Sequence, residues 1–234
     1  MKVFLGIFLA LSLSACKAPN QVLVFTKTEG FRHKSIEKGV ETLKELGGAN
    51  RFKVVHTEDA NLFSNQNLDK FNLVVFLNTS GDVLNKDQEQ AFKAYINNGG
   101  SFMGIHAASD TEFEWSWFGE LVGAYFVNHP KKSDATIDVV DGNHPSTKHL
   151  QKQWTRYDEW YNFKWTNEDT HVLLNIDETT YEGGTNGEYH PIAWFHEYDG
   201  GRSFYTAMGH TEASYSEPEF RQHLLGGILY CLKR

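Results

Sequence analysis

The sequence predicts a doubly wound, mostly parallel α/β sheet, and three observations carry that prediction. Its first half alternates short β-rich runs with segments of helical period, as successive βαβ units do. One run, residues 71–77 (FNLVVFL), is almost wholly apolar, the pattern of a strand buried on both faces. Another, Ser101–Ile105, runs into Gly104-Ile105-His106-Ala107-Ala108, a histidine among small residues at a strand end. That is the layout of a nucleophile elbow, here displaying an imidazole instead of a hydroxyl or thiol. His106 is therefore the expected centre of whatever site the chain carries.

Taken in order, residues 21–26 (QVLVFT) form the first strand, and 27–33 a polar loop. Ile36, Val40, Leu43 and Leu46 recur at helical spacing, with Gly47-Gly48 as the expected stop. Residues 52–56 and 71–77 are the next two strands, and 78–82 (NTSGD) is a polar loop at a strand's carboxyl end. Asn85 opens a helix with Gln88 in capping-box position, and Gly99-Gly100 close it. The second half is less regular. A short helix is expected over 114–123, strands over 135–140, 159–163 and 171–176, and an exposed glycine-containing loop over 181–189. An added hairpin joins 191–197 to 203–208, with Glu197 opposite Arg202, and 217–232 closes the chain as a helix.

The chain has 234 residues, a net charge of −8 and no basic run, which argues against nucleic acid as a partner. Residues 1–15 read as a lipoprotein signal peptide ending in Leu13-Ser14-Ala15-Cys16, with Cys16 the lipidation site and 16–20 a tether to one domain over 21–234. The expected location is that of an exported bacterial lipoprotein, held to the periplasmic or cell-surface face of a membrane by its lipid anchor only. Besides Cys16, Cys231 alone remains, so no internal disulfide framework exists. Eleven histidines raise the odds of acid–base or metal chemistry, and an aromatic share of 14% suits either a core or a sugar-stacking surface.

Several long stretches carry a resemblance: FRHKSI (31–36), GGSFMGIHAASD (99–110), GELVGAYFVNHP (119–130), DEWYNF (158–163) and HPIAWFHEYDGGRSFYTAMGHT (190–211). They resemble the ThuA-like, or trehalose-utilisation, family over essentially the whole mature chain. The resemblance implies a flavodoxin-like fold similar to class I glutamine amidotransferases. Those enzymes place a cysteine at the elbow and follow a late strand with His-x-Glu. Here His106 stands at the elbow, and His210-Thr211-Glu212 supplies the His-x-Glu. With no thiol at the elbow, glutamine amidotransfer through a thioester is excluded.

The catalytic candidates are accordingly His106, His210, Glu212 behind His210, and Asp110 to orient His106. Arg32, His33, Asp82, His129, Trp160 and His196 are candidates for substrate contact. The pair Asp158-Glu159 sends at most one carboxylate into the site, because neighbours in a strand face opposite ways. No cofactor is signalled by a motif, but His106, His210 and His129 allow a divalent metal, zinc first. The resemblance implies cleavage of disaccharides or glycosides, those oxidised at the 3-position by a partner sugar 3-dehydrogenase above all. The alternative is a non-catalytic sugar-binding or accessory lipoprotein on a degenerate amidotransferase fold.

Overall fold

The structure, a computed structural model, describes residues 18–234. The expected signal peptide and Cys16 lie outside the described residues. Among the described residues no helix is long and apolar enough to cross a membrane.

Strands β1 (Asn20–Phe25), β2 (Phe52–Thr57), β3 (Leu73–Leu77) and β4 (Ser101–Ile105) alternate with helices α1 (Ile36–Asn50), α2 (Asn65–Leu68) and α3 (Lys86–Asn97). After helix α4 (Ser116–Val122) come β5 (Ala124–Asn128), β6 (Ser133–Val139), β7 (Gln153–Asp158), β8 (Asn162–Trp165), β9 (His171–Ile176), β10 (Pro191–Tyr198) and β11 (Gly201–Thr206). Helix α5 (Pro218–Cys231) follows. A nine-stranded sheet runs β2-β1-β3-β4-β11-β10-β9-β6-β7. Its first five strands are parallel neighbours in the 2-1-3-4-5 order of a flavodoxin-like fold, with β11 as the fifth. Every residue of β3 and β4 is buried, as helices on both faces require.

Local sequence explains most boundaries. Asn85 and Gln88 form the expected capping box at α3. The glycine pair does not end α1, which runs on to Asn50 and stops at Arg51 in the left-handed region (φ 61°). Gly47 serves close approach instead: a Cβ there would lie 2.8 Å from the Phe52 carbonyl oxygen. The aromatic surplus goes largely to the core, where Phe76 packs against Phe25, Phe63, Phe92, Phe102 and Phe118.

The later half departs more from expectation. The hairpin forms with Glu197 opposite Arg202, but β10 continues into β9, β6 and β7, all antiparallel. The strand expected over 159–163 is broken. β7 stops at Asp158 in the large sheet, and β8 begins at Asn162 in a separate two-stranded sheet with β5. The pairs β5·β8 and β6·β7 are thus one long antiparallel ladder, bent where residues 129–132 face 159–161. Its register slips across the bend, from Ala124 opposite Trp165 to Ser133 opposite Asp158.

Candidate active site

Three parallel strands and the bent ladder converge on one cluster of imidazoles. His33 lies in the loop after β1, His106 directly follows β4, and His210 follows β11. All are at the carboxyl edge of the parallel strands, where doubly wound sheets bind ligands. His106 takes a left-handed conformation (φ 49°), as an elbow residue does. Its neighbours must be small: a Cβ on Gly104 would stand 2.9 Å from the Tyr205 ring and 3.2 Å from the Ala108 Cβ.

The carboxylate at the centre is Glu159, from the bend after β7. Its Oε2 lies 2.9 Å from His210 Nδ1 and 3.5 Å from His106 Nε2, and its Oε1 lies 3.3 Å from His129 Nδ1. His106 Nε2 is 3.2 Å from His210 Nδ1, and His106 Nδ1–H donates to the Ala207 carbonyl at 2.6 Å. The ring of Tyr161 covers His106 at 4.2 Å between centroids. Burial opposes ionisation of Glu159, but the adjoining imidazoles of His106 and His210 outweigh that and hold its carboxyl below the usual range. His33 meets both other rings edge-on, at 4.9 Å from His106 and 5.0 Å from His210. Burial first, then the neighbouring imidazoles, push its pKa down to about 2.

Asp158 faces the other way along the chain, and it holds the loop that carries His210. Its carboxylate accepts the backbone N–H groups of Gly209 (2.9 Å) and His210 (3.1 Å) and pairs with buried Arg156 at 3.2 Å. Beside Glu159 an open crevice of about 510 Å³ is lined by His129, Pro130, Lys131, Lys132, Tyr157 and Glu159.

The structure therefore brings His33, His106, His129 and His210 together and places other candidates elsewhere. Glu212 does not back His210: it is exposed and precedes the 3-10 turn Ala213–Ser216, while Glu159 occupies the expected carboxylate position. Asp110 does not orient His106, whose Nδ1 is taken by Ala207; burial pushes the Asp110 carboxyl up. Arg32 points to Glu37 and Glu58 at the surface. Asp82 is exposed and groups with Glu89 and Glu112. Trp160 is fully buried and donates to the Ser133 carbonyl, a core residue instead of a sugar platform. His196 is buried opposite Ser203, early in β11, and donates to the Glu120 carbonyl; burial pushes its pKa down to about 4. The centrality of Glu159 is what residue-by-residue reading missed. Its one signal was its place in DEWYNF beside a second acid.

A family model described as ThuA, trehalose utilisation, matches residues 21–231. The chain belongs to the ThuA family. A ThuA-like protein from Bacteroides uniformis superposes with a TM-score of 0.79 at 24% identity, covering 95% of each chain. A second ThuA-like protein, from Parabacteroides merdae, gives 0.77 at 20% identity, covering 92% of this chain and 90% of that one. The same fold recurs within a β-galactosidase from Bacillus circulans, at TM-score 0.58 and 11% identity, over 91% of this chain and 30% of that one. No curated protein matches the chain. ThuA membership gives the protein a carbohydrate-related role.

Proposed function

We propose that the protein cleaves 3-keto glycosides by acid–base chemistry, with Glu159 and its imidazoles as the working centre. The observation that carries this is one buried carboxylate within 3.5 Å of three histidines, opening on a crevice at the sheet's carboxyl edge. A ketone at C3 acidifies the C2–H bond. An imidazole removes that proton, its electron pair forms the C1–C2 double bond, and the C1–O bond breaks. An acid protonates the departing oxygen, and water then adds to the unsaturated ketone. His210 and His129 suit the proton transfers, because both touch Glu159 and both retain solvent exposure at 17% and 42%. His106, fully buried, orders them from behind.

The test is incubation with matched 3-keto and parent disaccharides. Monosaccharide release from the keto form alone is expected. Release from the parent sugar as well would overturn the elimination route, since an ordinary glycosidase uses paired carboxylates and needs no ketone. A sugar-binding role without turnover draws on Tyr157, an aromatic ring 47% exposed at the crevice. Saturable binding of the same sugars with no product would favour it. We also propose export and lipidation at Cys16, supplied with keto-sugar by a sugar 3-dehydrogenase. Cys16→Ser is expected to move the protein from the membrane to the soluble fraction, and an unchanged membrane fraction would exclude the anchor.

A further inference from the structure

We propose that His33, His106, Glu159 and His210 bind one divalent transition-metal ion. Each offers a ligand atom, and those four atoms all lie within 4.8 Å of one another. Three of them make a tight triangle: His106 Nε2 to His210 Nδ1 is 3.2 Å, His210 Nδ1 to Glu159 Oε2 is 2.9 Å, and His106 Nε2 to Glu159 Oε2 is 3.5 Å. Bonds of about 2.1 Å to zinc imply neighbouring ligands about 3.4 Å apart in a tetrahedron and about 3.0 Å apart in an octahedron. The observed edges bracket both values.

Proton inventory points the same way. The Ala207 carbonyl can only accept, so His106 Nδ1 carries the proton and Nε2 presents a bare lone pair to the cluster. Such a hydrogen bond to the remote nitrogen is what fixes the tautomer of a metal-bound histidine. His106 Nε2 and Glu159 Oε2 are then two acceptors facing the single Nδ1–H of His210. His33, 4% exposed, has an Nδ1 with no hydrogen-bond partner among the described residues. A buried polar atom left without a partner beside such acceptors is what a cation satisfies. Three imidazoles with one carboxylate suit zinc or another late first-row ion better than magnesium or calcium.

His129 is not a ligand in this arrangement. Its Nδ1 donates to the Pro130 carbonyl at 2.8 Å and faces the other oxygen of Glu159, from a ring still 42% exposed. The second group of acids does not compete. Glu112 is satisfied by the N–H groups of Val83 and Leu84, and Glu89 by Lys86.

This site stands on geometry alone, so it can be tested apart from sugar chemistry. Full-length protein is stripped with chelator, dialysed against zinc at micromolar free concentration, and measured by elemental analysis. One zinc per chain is expected. Cobalt(II) in its place is expected to give visible absorption typical of nitrogen and oxygen ligands. His106→Asn, His33→Gln and Glu159→Gln are each expected to weaken zinc binding at least tenfold, whereas His129→Gln leaves it unchanged. Wild-type protein without stoichiometric zinc, or equal affinity in His106→Asn and His33→Gln, overturns the proposal. Should those variants not fold, the wild-type melt decides. Zinc a hundredfold above its Kd is expected to raise the midpoint by about 5–10 °C, and no shift overturns the site. Zinc bound with no keto-sugar turnover would end the enzymatic reading and leave the metal site intact; turnover with no zinc bound would do the reverse.

Discussion

The parallel and antiparallel halves of the molecule reach the same site by different means. In the parallel half, His106 directly follows β4, and His33 and His210 lie in the loops after β1 and β11. In the antiparallel half, Glu159 and His129 sit opposite one another at the bend where a paired ladder leaves one sheet for another. The first half supplies imidazoles on a rigid frame, and the second supplies the carboxylate that joins them. A site assembled this way needs both halves in register. Its weak point is the contact between the end of β7 and the loop after β11.

The largest effect is expected from the parallel half. His106→Asn keeps a polar side chain at the elbow and removes the ring that meets both His210 and Glu159. On the acid–base reading, turnover of a 3-keto disaccharide falls roughly 10²–10⁴-fold while the thermal melt stays near wild type. A variant that matches wild-type turnover would leave the chemistry to His210, His129 and Glu159 without His106.

The contact between the halves comes next. Asp158 and Arg156 form a buried pair, with side chains 0% and 2% exposed, and the same carboxylate accepts the N–H groups of Gly209 and His210. Asp158→Ala leaves two N–H groups unpaired and buried Arg156 with Glu217 as its remaining carboxylate, at a cost of about 3 kcal/mol by urea denaturation. Asp158→Asn keeps the shape and is expected to cost less. Equal losses in the two would show that the charge, and not the shape, of Asp158 holds the loop.

The two halves were unequally legible, for a physical reason. Strand β4, the elbow at His106, the Asn85–Gln88 cap and the hairpin register are local patterns, and each stands where its residues put it. The bend is not local. Residues 159–163 have the aromatic content of a strand, but the ladder slips register there and Glu159 is freed to turn inward. Glu212 shows the opposite error. His-x-Glu spacing suggested a partner for His210, but Gly209 takes φ 111°, Asp158 pins the next N–H, and the chain turns into Ala213–Ser216 with Glu212 outside. Spacing carries over between relatives only when the backbone between the residues does.

Acid should loosen the seam around β10, β11 and α5 through histidines outside the site. Burial pushes the pKa of His144 and His196 down to about 4, and that of His223 to about 3. Below about pH 6.5 the unfolded chain takes up protons that these folded imidazoles refuse, so stability falls as pH drops from about 6.5 to 4. Each contributes on the order of 1 kcal/mol per pH unit in that window. Urea melts from pH 7 to 4 should show the slope, and His223→Gln should flatten it by about one histidine's share. A flat profile in the wild type would mean that these rings are protonated where they lie.

The smallest expected effect is the sharpest test of which carboxylate serves His210. Glu212 is exposed and forms no ion pair among the described residues with the histidine two positions before it. Glu212→Gln should therefore leave stability within about 0.5 kcal/mol, as surface changes usually do, and leave turnover unchanged. Glu159→Gln makes the same chemical change at a buried oxygen 2.9 Å from His210 Nδ1. It removes the negative charge that the surrounding imidazoles share, so turnover should collapse while the fold persists. Measured side by side, the two variants separate a carboxylate placed by the bend from one placed by spacing. If Glu212→Gln is the damaging change and Glu159→Gln the silent one, the antiparallel half is only scaffold, and the site belongs to the loops after β1, β4 and β11 alone.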